Sequence, residues 1–129
     1  MDKKELQERM TNFAVRVIKM TDALPSSLGA QAIAKQIVRS GTSPSANYRA
    51  ACLAKSDKDF LNKLKMVEEE LDETCHWLDL IMRCEFIKPT RIKPLYQECN
   101  ELLSIIVKSI VTMRARLTSN EMEKIRTKS

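Results

Sequence analysis

The sequence predicts an all-α protein, an antiparallel up-down four-helix bundle with a kinked second helix. Gly occurs twice and Pro four times in 129 residues, too few turn-formers for a sandwich or a doubly wound sheet. Ala, Leu, Ile, Met, Glu, Lys and Arg dominate, and most of these are strong helix formers. Apolar residues recur at steps of three and four along four stretches, which is the period of one helix face. The length fits a single domain, and a hydrophobic content of 43% is enough for one core.

The first helix is expected from about Lys3 to Ala23, with Leu6, Met10, Phe13, Ala14, Val17, Ile18 and Leu24 on its apolar side. Pro25 ends it, because its ring disfavours helical geometry in the preceding residue. The second helix begins near Ser27 and carries Ile33, Ile37 and Val38. Pro44 lacks an N–H and crowds the carbonyl of Ser40. A kink in one long helix, 27–55, matches the other rods in length, as a bundle requires. Ser56-Asp57-Lys58-Asp59 is a variant capping box that opens a third helix over Asp57–Arg83. Its stripe is Phe60, Leu64, Val67, Leu71, Cys75, Leu78 and Met82. The fourth helix is expected from about Ile92 to Leu117, with Pro94 in its first turn and Leu95, Cys99, Leu102, Leu103, Ile106, Ile110, Met113 and Leu117 inward.

This divides the chain into a bundle domain, 1–118, and a polar C-terminal tail, 119–129. The third and fourth helices also carry a second apolar stripe. Met66, Trp77, Leu80, Ile81 and Cys84 lie on one, Val107 and Val111 on the other. A bundle helix needs about one apolar face, so Met66, Trp77, Leu80, Ile81, Val107 and Val111 are the expected oligomer interface.

Charge is unevenly placed. The net +5 comprises +5 over residues 1–55, −5 over 56–85 and +5 over 86–129. An acidic element between basic ones can glue helices, order an oligomer, or leave a basic surface for nucleic acid. Arg9, Arg16 and Lys19 share one sector of the first helix, and Lys108, Arg114 and Arg116 follow late. These six are the candidate phosphate contacts, and such contacts read no sequence. The four cysteines, Cys52, Cys75, Cys84 and Cys99, have no C-x-x-C spacing and are expected as reduced thiols. The charged start lacks the apolar core of a signal peptide, and no apolar run approaches the roughly 18 residues of a membrane span. A cytoplasmic protein without a membrane partner is the expectation.

Catalytic machinery is hard to assemble from these residues. Glu73-Thr74-Cys75-His76 matches one Glu-x-x-His of a di-iron bundle, but His76 is the single histidine and the site needs a second such pair. His76 is therefore expected on the surface, with no metal and no cofactor. No Gly-rich phosphate loop is present, and a lone histidine makes no convincing nucleophilic triad. Glu70 and Glu73 lie beside Met66 and Trp77, where a carboxylate is costly unless a cation reaches it. Arg39 and Arg49 are the candidates. Gln36, Arg39, Ser40, Ser43 and Asn47 flank Pro44 and are expected to serve a structural role around the kink.

Two segments are more specific. One is Gln36-Ile-Val-Arg39-Ser40-Gly-Thr-Ser43-Pro44-Ser-Ala-Asn47-Tyr48-Arg49-Ala-Ala. The other is Phe60-Leu-Asn-Lys-Leu64-Lys, continuing to Glu70, Glu73-Thr74 and Trp77-Leu78. In residue type and spacing these resemble the bacterial four-helix-bundle family of proteins encoded by intervening sequences in the 23S ribosomal RNA gene. The likeness runs from about Phe13 to Leu117. It implies a homopentameric ring and kinship with accessory proteins of diversity-generating retroelements, which bind nucleic acid and a reverse transcriptase. It implies no catalytic site. The expected function is thus a non-enzymatic, oligomeric protein binding RNA or DNA through a basic surface, with a reverse transcriptase-like protein as a further partner. The alternative is a protein–protein adaptor or assembly scaffold.

Overall fold

A computed structural model describes residues 1–128. Four helices make up the fold: α1 (Lys3–Thr21), α2 (Leu28–Cys52), α3 (Asp57–Arg83) and α4 (Pro89–Lys128). The described residues contain no strand. Side chains cap the first three starts. Asp2 accepts from the Glu5 N–H at 2.8 Å, Ser27 from Ala30 at 3.4 Å, and Ser56 from Asp59 at 3.1 Å. Each satisfies a backbone donor left over in a first helical turn.

Neighbouring helices run antiparallel. Cys75 meets Cys99 while Asp57 reaches Arg116, so α4 climbs as α3 descends. Arg9 of α1 meets Glu98 and Glu101 of α4, Arg16 and Lys19 lie near Arg91, and Lys3 lies near Lys108. The α2–α3 and α3–α4 seams are the broadest, and α1 and α4 touch least.

α2 runs unbroken through Pro44. Hydroxyls bond back to the backbone around it, from Thr42 to the carbonyl of Val38 at 2.7 Å, from Ser43 to Arg39 at 2.6 Å and from Ser45 to Thr42 at 2.8 Å. Back-bonding of this kind bends helices. Close approach of α1 is set by Gly41, where an added Cβ would lie 2.7 Å from a Val17 methyl and 3.2 Å from its Cβ.

The helical stripes differ from expectation at their edges. In α3 the buried line is Leu61, Leu64, Val67, Leu71, Thr74, Cys75, Leu78 and Ile81, while Phe60 and Met82 are half-buried. A helix with neighbours on both sides buries a wider arc than a single stripe. Ile81 is 0% exposed, which removes it from the expected oligomer interface. Ile18 and Val38 lie on the surface. α4 begins at Pro89, so Pro94 stands in the second turn and not the first. The helix also passes Leu117 and continues to Lys128, with residues 118–128 exposed throughout. Some 40 residues at 1.5 Å each make α4 roughly 60 Å long, against roughly 40 Å for α3.

α3 ends with Glu85 at φ 54°. The N–H of Glu85 bonds the carbonyl of Met82 at 3.1 Å, and that of Phe86 bonds Ile81 at 3.2 Å. Together these form a left-handed helix cap, a position that favours Gly. Glu85→Gly is expected to raise stability by about 0.5–1 kcal/mol, because a side chain in this region is strained. A lower urea midpoint would contradict the cap assignment. Gly41→Ala is expected to lower stability by about 1 kcal/mol. The overpacking against stiff Val17 outweighs the helix propensity that Ala adds, and an unchanged or higher midpoint would show that α1 can yield there.

Candidate functional site

Polar side chains gather in two places, the α2–α3 seam and the α1–α4 seam. In the first, Arg39 of α2 reaches Glu70 at 2.9 Å and Glu73 at 2.5 Å on α3. The cation that accompanies these carboxylates is therefore Arg39, and Arg49 is exposed elsewhere. Glu73 also accepts from the indole N–H of Trp77 at 3.2 Å. Arg39, with Trp77 second, holds the Glu73 carboxyl below its ordinary range, and Glu73 in turn raises the Arg39 guanidinium. Beneath them lie Ser40 and Thr74, both 0% exposed, their hydroxyls 2.9 Å apart. Thr74 is also 2.7 Å from the carbonyl oxygen of Glu70. With its one proton given to that carbonyl, Thr74 accepts from Ser40 and both buried hydroxyls are satisfied. Ser43 bonds within its own helix, Asn47 is half-buried and Gln36 is exposed. The cluster thus ties α2 to α3. His76 is exposed, its ring 5.1 Å from that of Trp77.

The α1–α4 seam holds the basic residues, and it does not bring all six candidates together. Arg9 is not a free surface cation. Its guanidinium donates to both Glu98 oxygens at 2.9 and 2.6 Å and lies 2.8 Å from Glu101. These carboxylates, Glu98 first, hold it above its ordinary pKa. A guanidinium so engaged clamps the middle of the seam and is withdrawn from the phosphate-binding set. The seam opens on either side of this clamp. Towards one end, Arg16 and Lys19 join Arg91 around a cleft of about 290 Å³. Towards the other, Lys108 and Arg116 join Lys3 and Lys55 around a cleft of about 670 Å³. Arg114 is exposed on α4.

The larger cleft is the better candidate site. Four cations line it, with Asp57 as the one lining carboxylate, 4.0 Å from Arg116. Its floor is apolar, with Leu6, Phe60, Ile105 and Met113. Lys3 sits 4.5 Å above the Phe60 ring, a cation–π distance. Burial pushes the Tyr48 phenol in its wall upward, so this hydroxyl stays protonated. The chemistry on offer is attraction of a polyanion, with aromatic and aliphatic surface beneath. Sequence reasoning did not select Lys3, Lys55 and Arg91, which join the others only once α1 and α4 are set antiparallel in the register of the Arg9 clamp.

The expected oligomer residues are likewise split. Trp77 lies at the α2–α3 seam through its bond to Glu73, and Met66 nearby on the helix is 50% exposed. Val107 and Val111 follow Asn100 by seven and eleven residues, on the flank of α4 that meets Cys75 of α3. They lie on the other side of α3 from Trp77. All four cysteines are free. Cys75 and Cys99 are buried with Sγ atoms 2.9 Å apart, and Cys99 also bonds the carbonyl of Leu71 at 3.3 Å. Among the described residues no group of three His, Cys, Asp or Glu side chains is placed to hold a metal. No helix among them is long and apolar enough to cross a membrane.

The Arg39 pair gives a pH dependence with a definite sign. Glu73 titrates lower in the folded chain than in the unfolded one, so its contribution is complete at neutral pH and fades as pH falls through and below the ordinary glutamate value of about 4. The stability gap between the wild-type chain and Arg39→Ala is expected to shrink between neutral pH and strong acid. An equal gap in urea titrations at both would contradict the pairing.

Comparison with known proteins places these features in a family. The model of the 23S rRNA-intervening sequence protein family matches residues 2–108. Among solved structures, a protein of unknown function from the S23 ribosomal protein family of Bacteroides thetaiotaomicron is similar, with 33% identity and a TM-score of 0.76. The likeness covers 81% of this chain and 97% of that one. No curated protein matches. A family match over most of the chain, and a relative folded the same way, carry one conclusion: the chain belongs to the 23S rRNA-intervening sequence protein family.

Proposed function

We propose that this is a non-enzymatic, self-associating bundle that binds nucleic acid through its phosphates along the α1–α4 seam. The observation that carries the reading is the larger cleft, where Lys3, Lys55, Lys108 and Arg116 converge against one carboxylate. Lysine and arginine side chains that replace condensed counterions bind any sequence, and the cleft holds no array of amide side chains to read base edges. The second basic cluster, Arg16, Lys19 and Arg91, supports the same reading. Lys3 and Lys19 are sixteen residues apart on α1, roughly 24 Å at 1.5 Å per residue. That is about seven steps of 3.4 Å along a nucleic-acid strand, so one short duplex laid on the seam reaches both clusters. The exposed Met66, Val107 and Val111 favour contact with further copies of the chain, and the five-membered ring implied by the resemblance belongs to the same reading.

Binding of a labelled duplex, followed by fluorescence anisotropy across salt concentrations, tests this. Four neutralised phosphates per site give a slope of log K against log salt near −3.6 on duplex DNA (about 0.9 per phosphate). The double change Lys55→Glu and Lys108→Glu is expected to weaken binding at least tenfold and to reduce the slope by roughly 2. Absence of binding to RNA and DNA at about 50 mM salt would overturn the proposal, and so would a double variant that binds like the wild-type chain.

A further inference from the structure

The larger cleft is a hollow as well as a charged surface. Neutralising phosphates needs only cations on the outside of the bundle. Here the cations rim a space of about 670 Å³, within the range of pockets that enclose a small molecule. Lys3, Lys55, Lys108 and Arg116 are exposed at the rim, while Leu6 and Met113 are buried in the floor. Between the two levels stand Phe60 and Ile105, both half-buried. A simple polyanion meets the rim and leaves that apolar surface in water. The outside of a duplex does the same, because its bases are stacked within. An occupant that matches both levels carries negative charge at one end and a flat ring at the other. A nucleotide whose base is unpaired has that form.

The place of the cleft in the fold points the same way. It lies where α1 and α3 begin and α2 ends, and α4 alone continues past it. A strand that follows the α1–α4 seam past the Arg9 clamp therefore runs off the start of α1 at this hollow. Lys3 stands 4.5 Å above the Phe60 ring. It is the first residue of α1, and a cation–π contact at an exposed site is weak. A phosphate beside Lys3 draws the ammonium off the ring and opens that face to a base, which stacks on an aromatic side chain whatever its sequence.

We propose that the larger cleft takes one unpaired nucleotide of a bound strand, its base against Phe60 and Ile105 and its phosphates on Lys3, Lys55 and Lys108. The inference rests on the nucleic-acid reading above and deepens it, since it makes a duplex with a single-stranded tail the preferred ligand over a closed duplex. Drawing a base out of a duplex costs stacking and pairing that a tail has already given up. Each copy of the chain carries the whole hollow, so the assignment is independent of how copies assemble.

Fluorescence anisotropy on the full chain at low salt tests this with three ligands: a blunt duplex, the same duplex with a short unpaired tail of either polarity, and the tailed duplex with abasic sugars throughout the tail. The tailed and abasic ligands carry the same phosphates and differ only in the bases. The tailed duplex is expected to bind about tenfold tighter than the abasic one, with the same slope of log K against log salt. Phe60→Leu, shown by circular dichroism to remain helical, is expected to remove most of that preference and to leave abasic binding unchanged. Equal affinity of the wild-type chain for tailed and abasic ligands would overturn the inference and leave the phosphate reading standing. A folded Phe60→Leu chain that keeps the full preference would place the base elsewhere and overturn the assignment to this cleft. Absence of binding to all three overturns the inference together with the nucleic-acid reading.

Discussion

Helix α3 has a neighbour on each side, and the arrangement of the rest follows from that constraint. Leu64, Val67, Leu71 and Leu78 are fully buried along its centre. Thr74 faces Ser40 of α2, and Ile81, two turns on, shares that flank. Cys75 faces Cys99 of α4 on the other flank. A helix committed on both sides buries an arc wider than one stripe, and it draws α2 and α4 toward itself. α1 is then held chiefly through α2, where Gly41 lets the backbones approach, and it meets α4 along a thinner seam. The smaller cleft opens in that seam, and the larger one lies at its end, walled also by Tyr48 and Cys52 of α2, the α2–α3 connection and Phe60 of α3.

The same arrangement decides which charges are left for an outside partner. Several carboxylates of α3 are paired within the chain. Glu70 and Glu73 pair with Arg39, Asp59 with Lys63, and Asp79 with Arg83. Glu98 and Glu101 engage Arg9. Exposed ion pairs of this type add little stability, so their main consequence is the distribution of the unmatched charge. Lys55 and Lys108 form no ion pair among the described residues, and they stand at the mouth of the larger cleft. A net charge of +5 understates the local field there, because it averages the acidic stretch 56–85, net −5, with the basic rim of the seam.

Much of the fold was legible from residue spacing alone. The Ser56 cap and the 3.6-residue rhythm from Leu64 to Leu78 place α3 at its observed ends, because caps and periodicity are local properties. The edges of the buried arcs are not local. Whether Leu61 or Phe60 points inward, and whether Ile81 serves the core or the surface, depends on the angle at which α2 and α4 flank α3. The end of α4 was missed for a related reason. Residues 118–128 are polar by count and exposed throughout, so no buried stripe marks them as a continuation of the helix. The candidate site was legible only in part. Arg16, Lys19, Lys108 and Arg116 stand out as cations in the sequence, but the capture of Arg9 by Glu98, 89 residues away, and the arrival of Lys3 and Lys55 beside Lys108 are products of antiparallel packing.

What unites these observations is a division of labour by seam, with apolar burial concentrated around α3 and usable positive charge collected where α1 and α4 part. Amide hydrogen exchange, measured with and without a short duplex at low salt, tests that division most directly. The expected result is slowed exchange along α1, at the α2–α3 connection and in the two stretches of α4 near Arg91 and from Ile105 to Arg116, with the Met66–Trp77 side of α3 unchanged. Slowing centred on that side of α3, or none anywhere while the duplex is bound, would contradict it.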